Sequence, residues 1–239
     1  MGKKKNKRVY ELITHEKPRS MFSEAYRSLR TNLGFTEIDQ KCRTLLLSSP
    51  NPMDGKSLTT ANLAVVLAQA GHTVVLVDCD LRKPSQHTIF ELENHRGVSN
   101  CLAQNLDISK VTQPSPVDNL SIISSGPIPP NPTEMLNSDA TRGFLARLQE
   151  EYDYVLVDGP PVLAVADASI LARQVDGVIL VLRSASSRVD ASKEAKEQLK
   201  RAGANLIGVV LNQVDIKRNN YYHNQYYYYV EDSGKKKKA

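Results

Sequence analysis

Thr44-Leu45-Leu46-Leu47-Ser48-Ser49-Pro50-Asn51-Pro52-Met53-Asp54-Gly55-Lys56-Ser57 runs from a short apolar stretch, through a turn rich in proline and small polar residues, into helical patterning over 57–69. Similar apolar runs recur along the chain: Thr73-Val74-Val75-Leu76-Val77, Leu120-Ser121-Ile122-Ile123, Tyr154-Val155-Leu156-Val157, Gly177-Val178-Ile179-Leu180-Val181-Leu182 and Leu206-Ile207-Gly208-Val209-Val210-Leu211. They are short and rich in branched residues, and several are apolar without alternation, as strands covered on both faces are. Helical patterns at 143–150, 169–173 and 192–202 alternate with most of them. The expectation is an α/β fold, a mostly parallel central sheet with helices on both faces. Such sheets bind ligands beyond the carboxyl ends of their strands, so the loops after the runs are where chemistry is expected.

The loop after the first run ends in Gly55-Lys56-Ser57 at a strand-to-helix turn, as a phosphate-binding P-loop requires. In that reading Gly55 lets backbone N–H groups approach a phosphate and the helix N-terminus adds partial positive charge. Lys56 reaches the β and γ phosphates, and Ser57 ligates Mg²⁺. The nucleotide-contacting stretch is then Asp54-Gly55-Lys56-Ser57-Leu58. Pro50 stands where the general pattern has its first glycine, and a surface turn can mimic Gly-Lys-Ser alone.

The second run closes in Val77-Asp78-Cys79-Asp80-Leu81-Arg82, and the fourth in Val157-Asp158-Gly159-Pro160-Pro161. Three acids at the open edge of the sheet beside a phosphate loop suit a magnesium ion and an activated nucleophile. Singly, each is as readily a turn or capping residue. Arg82 either neutralises transferring charge or pairs with an acid on the surface. Asn212, closing the last run, carries a donor and an acceptor that could read an adenine edge, or it simply ends a strand.

The net charge of +5 lies in two terminal runs, Lys3-Lys4-Lys5-Asn6-Lys7-Arg8 and Lys235 to Lys238; without those nine basic residues it becomes about −4. The body is therefore not a basic nucleic-acid platform. No apolar stretch approaches the ~18 residues of a membrane span, and the N-terminus lacks the apolar core of a secretory signal. A cytoplasmic location is expected. Cys42, Cys79 and Cys101 are odd in number and have no metal-ligand spacing, so reduced thiols are expected. Near the C-terminus, Tyr221-Tyr222-His223-Asn224-Gln225-Tyr226-Tyr227-Tyr228-Tyr229 holds six of the chain's ten tyrosines, with no apolar period to bury them. The expected organisation is a basic segment 1–17, a globular domain 18–216 and a flexible tyrosine-rich tail 217–239.

Asp78-Cys79-Asp80-Leu81-Arg82 resembles the second Walker A-like motif of the bacterial tyrosine kinases, P-loop NTPase-like enzymes unrelated to eukaryotic kinases. Val155-Leu156-Val157-Asp158-Gly159-Pro160-Pro161 resembles their Walker B motif. Ser124-Ser125-Gly126-Pro127-Ile128-Pro129-Pro130-Asn131-Pro132-Thr133-Glu134-Met135-Leu136, Glu24-Ala25-Tyr26-Arg27-Ser28-Leu29-Arg30 and the tyrosine tail add to the likeness, which runs from about Pro18 to the end. The resemblance implies ATP- and Mg²⁺-dependent autophosphorylation in trans on Tyr221, Tyr222, Tyr226, Tyr227, Tyr228 and Tyr229, and control of capsular or extracellular polysaccharide synthesis. It implies catalytic roles for Lys56, Asp78, Asp80 and Asp158, with Ser57, Asp78 and Asp158 serving the metal. Glu24, Arg27 and Arg30 would contact the neighbouring subunit of a homo-oligomeric ring; on composition alone they form a solvated helix face. A transmembrane activator would recruit the chain to the inner face of the plasma membrane, with a cognate tyrosine phosphatase and protein substrates as further partners.

One departure stands out: the family pattern Pro-Gly-Glu-Gly-Lys-Ser reads Pro52-Met53-Asp54-Gly55-Lys56-Ser57 in this chain. If position 53 needs a positive φ, Met costs on the order of 1 kcal/mol against Gly. Two alternatives remain. One is a partition- or septum-type ATPase, although such proteins carry an extra lysine where this chain has Asn51. The other is a weakly active kinase-like scaffold.

Overall fold

The computed structural model describes residues 10–36 and 42–215. Among the described residues seven strands form one sheet: β1 (Thr44–Ser48), β2 (Val74–Asp78), β3 (Thr112–Pro114), β4 (Leu120–Ile123), β5 (Tyr154–Asp158), β6 (Gly177–Arg183) and β7 (Leu206–Asn212). Their order is β3-β4-β2-β5-β1-β6-β7, and every pairing is parallel except β3 with β4. The helices are α1 (Ile13–Glu16), α2 (Met21–Thr36), α3 (Lys56–Ala68), α4 (Gln86–Ile89), α5 (Val98–Gln104), α6 (Pro132–Leu136), α7 (Asp139–Glu151), α8 (Asp167–Ala172) and α9 (Val189–Arg201). All six expected strands and four expected helices are present within a few residues. The expected α/β architecture is the one observed.

Strand alternation splits the core in two. Leu46, Val75, Val77, Val155, Val157, Val178 and Leu180 pack on one face with residues of α5, α7, α8 and α9. Leu45, Leu47, Val74, Leu76, Leu156, Ile179 and Val181 pack on the other with α2 and α3. Period-2 alternation with both sets apolar is what a doubly covered sheet demands. Helix α3 is nearly all buried, which explains why its pattern lacks a polar stripe.

The packed body begins earlier than the expected boundary at residue 18. Leu12 and Thr14 are buried, and Thr14 bonds Asn62 of α3 through its N–H and hydroxyl at 3.0 and 2.8 Å. Two apolar residues, Leu12 and Ile13, give no period to read, so only the docking on α3 reveals this segment. β3 was unreadable for a similar reason: it has three residues, ends in proline and lies at an edge. The six tail tyrosines lie outside the described residues, as do the lysine runs at both ends. Tyr154 of β5 is buried edge-on against His72, with ring centroids 5.0 Å apart. Cys42, Cys79 and Cys101 are all buried, and among the described residues no helix is long and apolar enough to cross a membrane.

At Gly97, ahead of α5, an added Cβ would lie 1.9 Å from the Ser124 carbonyl oxygen, because Val98 N–H bonds that same oxygen. Gly97→Ala should therefore lower the unfolding free energy by about 1–3 kcal/mol, read as a lower urea midpoint at unchanged slope.

Candidate active site

Parallel strands β2, β5 and β1 deliver their C-terminal residues to one edge, with Asp78 directly in register with Asp158, and Asp158 with Leu47. The loop 49–55 starts there. Ser48 donates its hydroxyl to the Pro160 carbonyl at 2.6 Å, tying the two strand ends together. Within the loop the Asp54 carboxylate accepts from Asn51 N–H at 3.1 Å and from the Ser187 hydroxyl at 3.1 Å. Asp54, expected to contact nucleotide, thus directs its buried side chain into the scaffold of the loop.

Gly55 adopts φ +95°, and a Cβ there would lie 1.9 Å from Nδ2 of Asn212, which donates to the Asp54 carbonyl at 3.0 Å. Glycine is thus needed both for its backbone conformation and for close approach. Asn212 also accepts from Gln213 N–H at 2.9 Å, so it clamps the end of β7 to the phosphate loop. Met53 does sit at positive φ, +67°, and its side chain is 83% exposed. The strain anticipated at that position is present, while the side chain points out to solvent.

Helix α3 begins at Lys56, directly after Gly55. The Lys56 ammonium contacts Asp80 at 3.0 Å, the Ser57 hydroxyl at 3.1 Å and Asp158 at 3.5 Å. Burial opposes its charge, but Asp158 and Asp80 outweigh that and hold its pKa above the ordinary lysine value. Asp78 accepts from the Ser85 and Gln86 N–H groups, both at 2.9 Å, and from Asp80 N–H at 3.2 Å. Complete burial, then the charge of Asp158, push the Asp78 carboxyl up to about 8. Burial also raises Asp158, offset in part by Lys56. Lys56, Ser57, Asp78, Asp80 and Asp158 are therefore brought together in one cluster.

Gln86 was not foreseen. Fully buried on α4, it donates from Nε2 to Asp158 at 2.8 Å and to the Ser57 carbonyl at 3.0 Å, while its N–H serves Asp78. One residue thus joins both acidic strand ends to α3; the sequence around it, Pro84-Ser85-Gln86-His87, signals only a turn. Arg82 is engaged with the buried Asp167 of α8 at 2.8 Å and with Thr133 of α6 at 2.8 Å. Of its two anticipated roles, the structure displays the pairing with an acid. Glu24 and Arg27 pair at 2.8 Å, Arg27 also donates to the Pro18 carbonyl, and Arg30 donates to the Val66 carbonyl of α3 at 3.1 Å. Within one chain these three residues brace the N-terminal helices.

Magnesium fits these side chains. Oδ1 of Asp158 is buried without a hydrogen-bond partner, and three acids there face one lysine. Among the described residues no cage of three or more His, Cys, Asp or Glu ligands is formed.

A strand–loop–helix phosphate cradle with acids on the neighbouring parallel strands defines a P-loop nucleotide-binding protein. The ParA family model, described as NUBPL iron-transfer P-loop NTPase, matches residues 44–239. Tyrosine-protein kinase YwqD of Bacillus subtilis is 40% identical over 209 residues, covering 87% of this chain and 88% of that protein. CapB of Staphylococcus aureus is 38% identical over 220 residues, covering 92% and 96%. The chimerical protein CapA2B2 superposes with a TM-score of 0.82 at 39% identity, covering 85% of this chain and 89% of that one. The septum-site protein MinD of Pyrococcus horikoshii, complexed with Mg-ADP, has a TM-score of 0.61 at 23% identity over 71% of this chain and 69% of its own, a likeness of fold alone. Within the ParA-type P-loop NTPases, this chain belongs to the bacterial tyrosine-protein kinase family.

Met53→Gly should relieve about 1 kcal/mol of left-handed strain and raise Tm by about 2–4 °C in a thermal scan. Asp78 also makes stability pH-dependent. Its folded pKa lies above the ordinary 3.8, so its contribution is fully present below that value and lost as pH rises toward about 8. Metal-free wild type should therefore lose stability relative to Asp78→Asn across that window in urea titrations at successive pH values.

Proposed function

We propose that this chain is an ATP-dependent protein-tyrosine kinase that phosphorylates its own C-terminal tyrosines and acts in capsular or extracellular polysaccharide synthesis. The observation that carries the reading is the Lys56 cluster: a phosphate-loop lysine held by Asp80 and Asp158, with a phosphoacceptor-rich tail elsewhere in the same chain. When ATP enters, Lys56 exchanges its carboxylate partners for the β and γ phosphates, guided by the N–H groups at the start of α3. That exchange frees an Asp80 oxygen. The phenol oxygen then bonds to the γ phosphorus as the bond to the β–γ bridging oxygen breaks, and ADP departs. An ordinary phenol has a pKa near 10, so a carboxylate placed to take its proton assists the step; Asp80 is the acid so freed, while Asp78 is saturated by three backbone N–H groups. Magnesium, held by Ser57 and, through water, Asp158, would supply charge neutralisation for the transferring phosphoryl group. Leu58 contributes backbone at the start of α3, and Asn212 and Arg82 complete the nucleotide-binding set after rearrangement of their present contacts.

Transfer in trans fits a ring in which Glu24, Arg27 and Arg30 meet a neighbouring subunit, exchanging intrachain bonds for intersubunit ones. A transmembrane activator at the cytoplasmic face of the membrane, a cognate tyrosine phosphatase and external protein substrates belong to the same reading. Each phosphotyrosine adds about −1.5 to −2 charges at neutral pH, so modified tails repel and the ring loosens.

Intact mass before and after incubation with ATP and Mg²⁺ tests the proposal. Stepwise gains of one phosphate are expected for the full chain and none for Lys56→Met or for a chain lacking residues 221–229. Phosphate released to water without any mass gain would instead identify a partition-type ATPase.

A further inference from the structure

The sheet has an unfinished end. Among the described residues β7 pairs with β6 alone, and Val209 and Leu211 on it are 52% and 62% exposed. With Leu182 of β6 and Val189 of α9 they border a groove of about 420 Å³ between β7 and the N-terminal half of α9. Arg183, Lys193 and Lys196 also line it, and none of its lining residues is acidic. An exposed apolar patch with a charged rim marks a contact surface, and here the rim selects a segment that is apolar and negatively charged.

The chain itself supplies one. Leu211 is part of the groove, and Gln213, just beyond the end of β7, sits at φ +56°, so the backbone turns as it leaves the sheet. Downstream, outside the described residues, Tyr226-Tyr227-Tyr228-Tyr229-Val230 is followed by Glu231-Asp232. Tyrosine and valine suit a pleated, half-buried surface, and tyrosine can bury its ring while keeping its hydroxyl wet. Two acids then meet three cations. Tyr229 lies 14 residues after Asp215, a tether of up to about 46 Å, ample to return to a groove that starts four residues before Asp215.

We propose that residues 226–232 dock on the β7–α9 groove of their own chain. The rings and Val230 cover Leu182, Val209 and Leu211, and the carboxylates of Glu231 and Asp232 face Arg183, Lys193 and Lys196. Docking needs no phosphotransfer. If the tail is also the phosphoacceptor, the groove stores it when it is not presented to an active site, beside a phosphate loop that the groove-lining Ser187 already contacts through Asp54.

The test is hydrogen–deuterium exchange on the phosphatase-treated full chain without nucleotide, which makes it independent of kinase activity. Charge reversal in the groove, Lys193→Glu with Lys196→Glu, should speed exchange of residues 206–212 by at least about threefold and expose residues 217–232 to protease. Glu231→Lys with Asp232→Lys, far from the folded body in sequence, should do the same, and the four changes together should restore protection. Unchanged exchange in both pairs, or failure of the combined variant to restore protection, would overturn the proposal. So would protection that falls on dilution, which would put a second copy's tail there, or protection that arises only with Mg-ADP, which would assign the groove to nucleotide.

Discussion

Asp78 and Asp158 end adjacent parallel strands in register, both shielded from water, and Lys56 is the cation set among them. Like charges brought together without solvent repel strongly, and each would rather be protonated than ionised. The architecture around them manages this repulsion. Backbone N–H groups of 85 and 86 saturate Asp78, the Gln86 amide holds Asp158, and the helix α3 N-terminus adds partial positive charge. Oδ1 of Asp158 lies 3.5 Å from the Lys56 ammonium, the cation that compensates it.

The phosphate loop depends on that cluster from below and on β7 from the side. Gly55 can take its left-handed conformation with Asn212 pressed against it only because it has no Cβ. Asp54 turns inward to bond Asn51 and Ser187. The loop is thus shaped before any phosphate reaches it, which lowers the ordering cost of binding. Met53 carries the residual strain at a position where glycine would carry none.

Kinship at about 40% identity to tyrosine kinases, and only fold-level likeness to MinD, frames how one scaffold serves different chemistries. The strands and the lysine cluster form one edge of that scaffold. Its bracing includes α1 and α2, sewn to α3 by Thr14–Asn62 and by Arg30 on the Val66 carbonyl.

Much of this was legible beforehand. Buried strands of a parallel sheet are continuous apolar runs, the glycine and lysine between strand and helix name a phosphate loop, and acids at strand ends fall at one edge because parallel strands all point there. α1, β3 and Gln86 were not legible, since a four-residue helix, a three-residue edge strand and a single amide have no periodicity of their own. The sequence by itself determined six of the strands, four of the helices and the placing of Lys56, Asp78, Asp80 and Asp158 after strand-forming runs, because these follow from local pattern and chain direction. Only the tertiary structure decided who bonds whom: Arg82 to Asp167, Asp54 to Ser187, Asn212 against Gly55, Gln86 across Asp158 and Ser57. Those partners are 29 to 133 residues apart in the chain or, for Asn212 against Gly55, are set by close packing, and no local propensity encodes a distance that only the folded core creates.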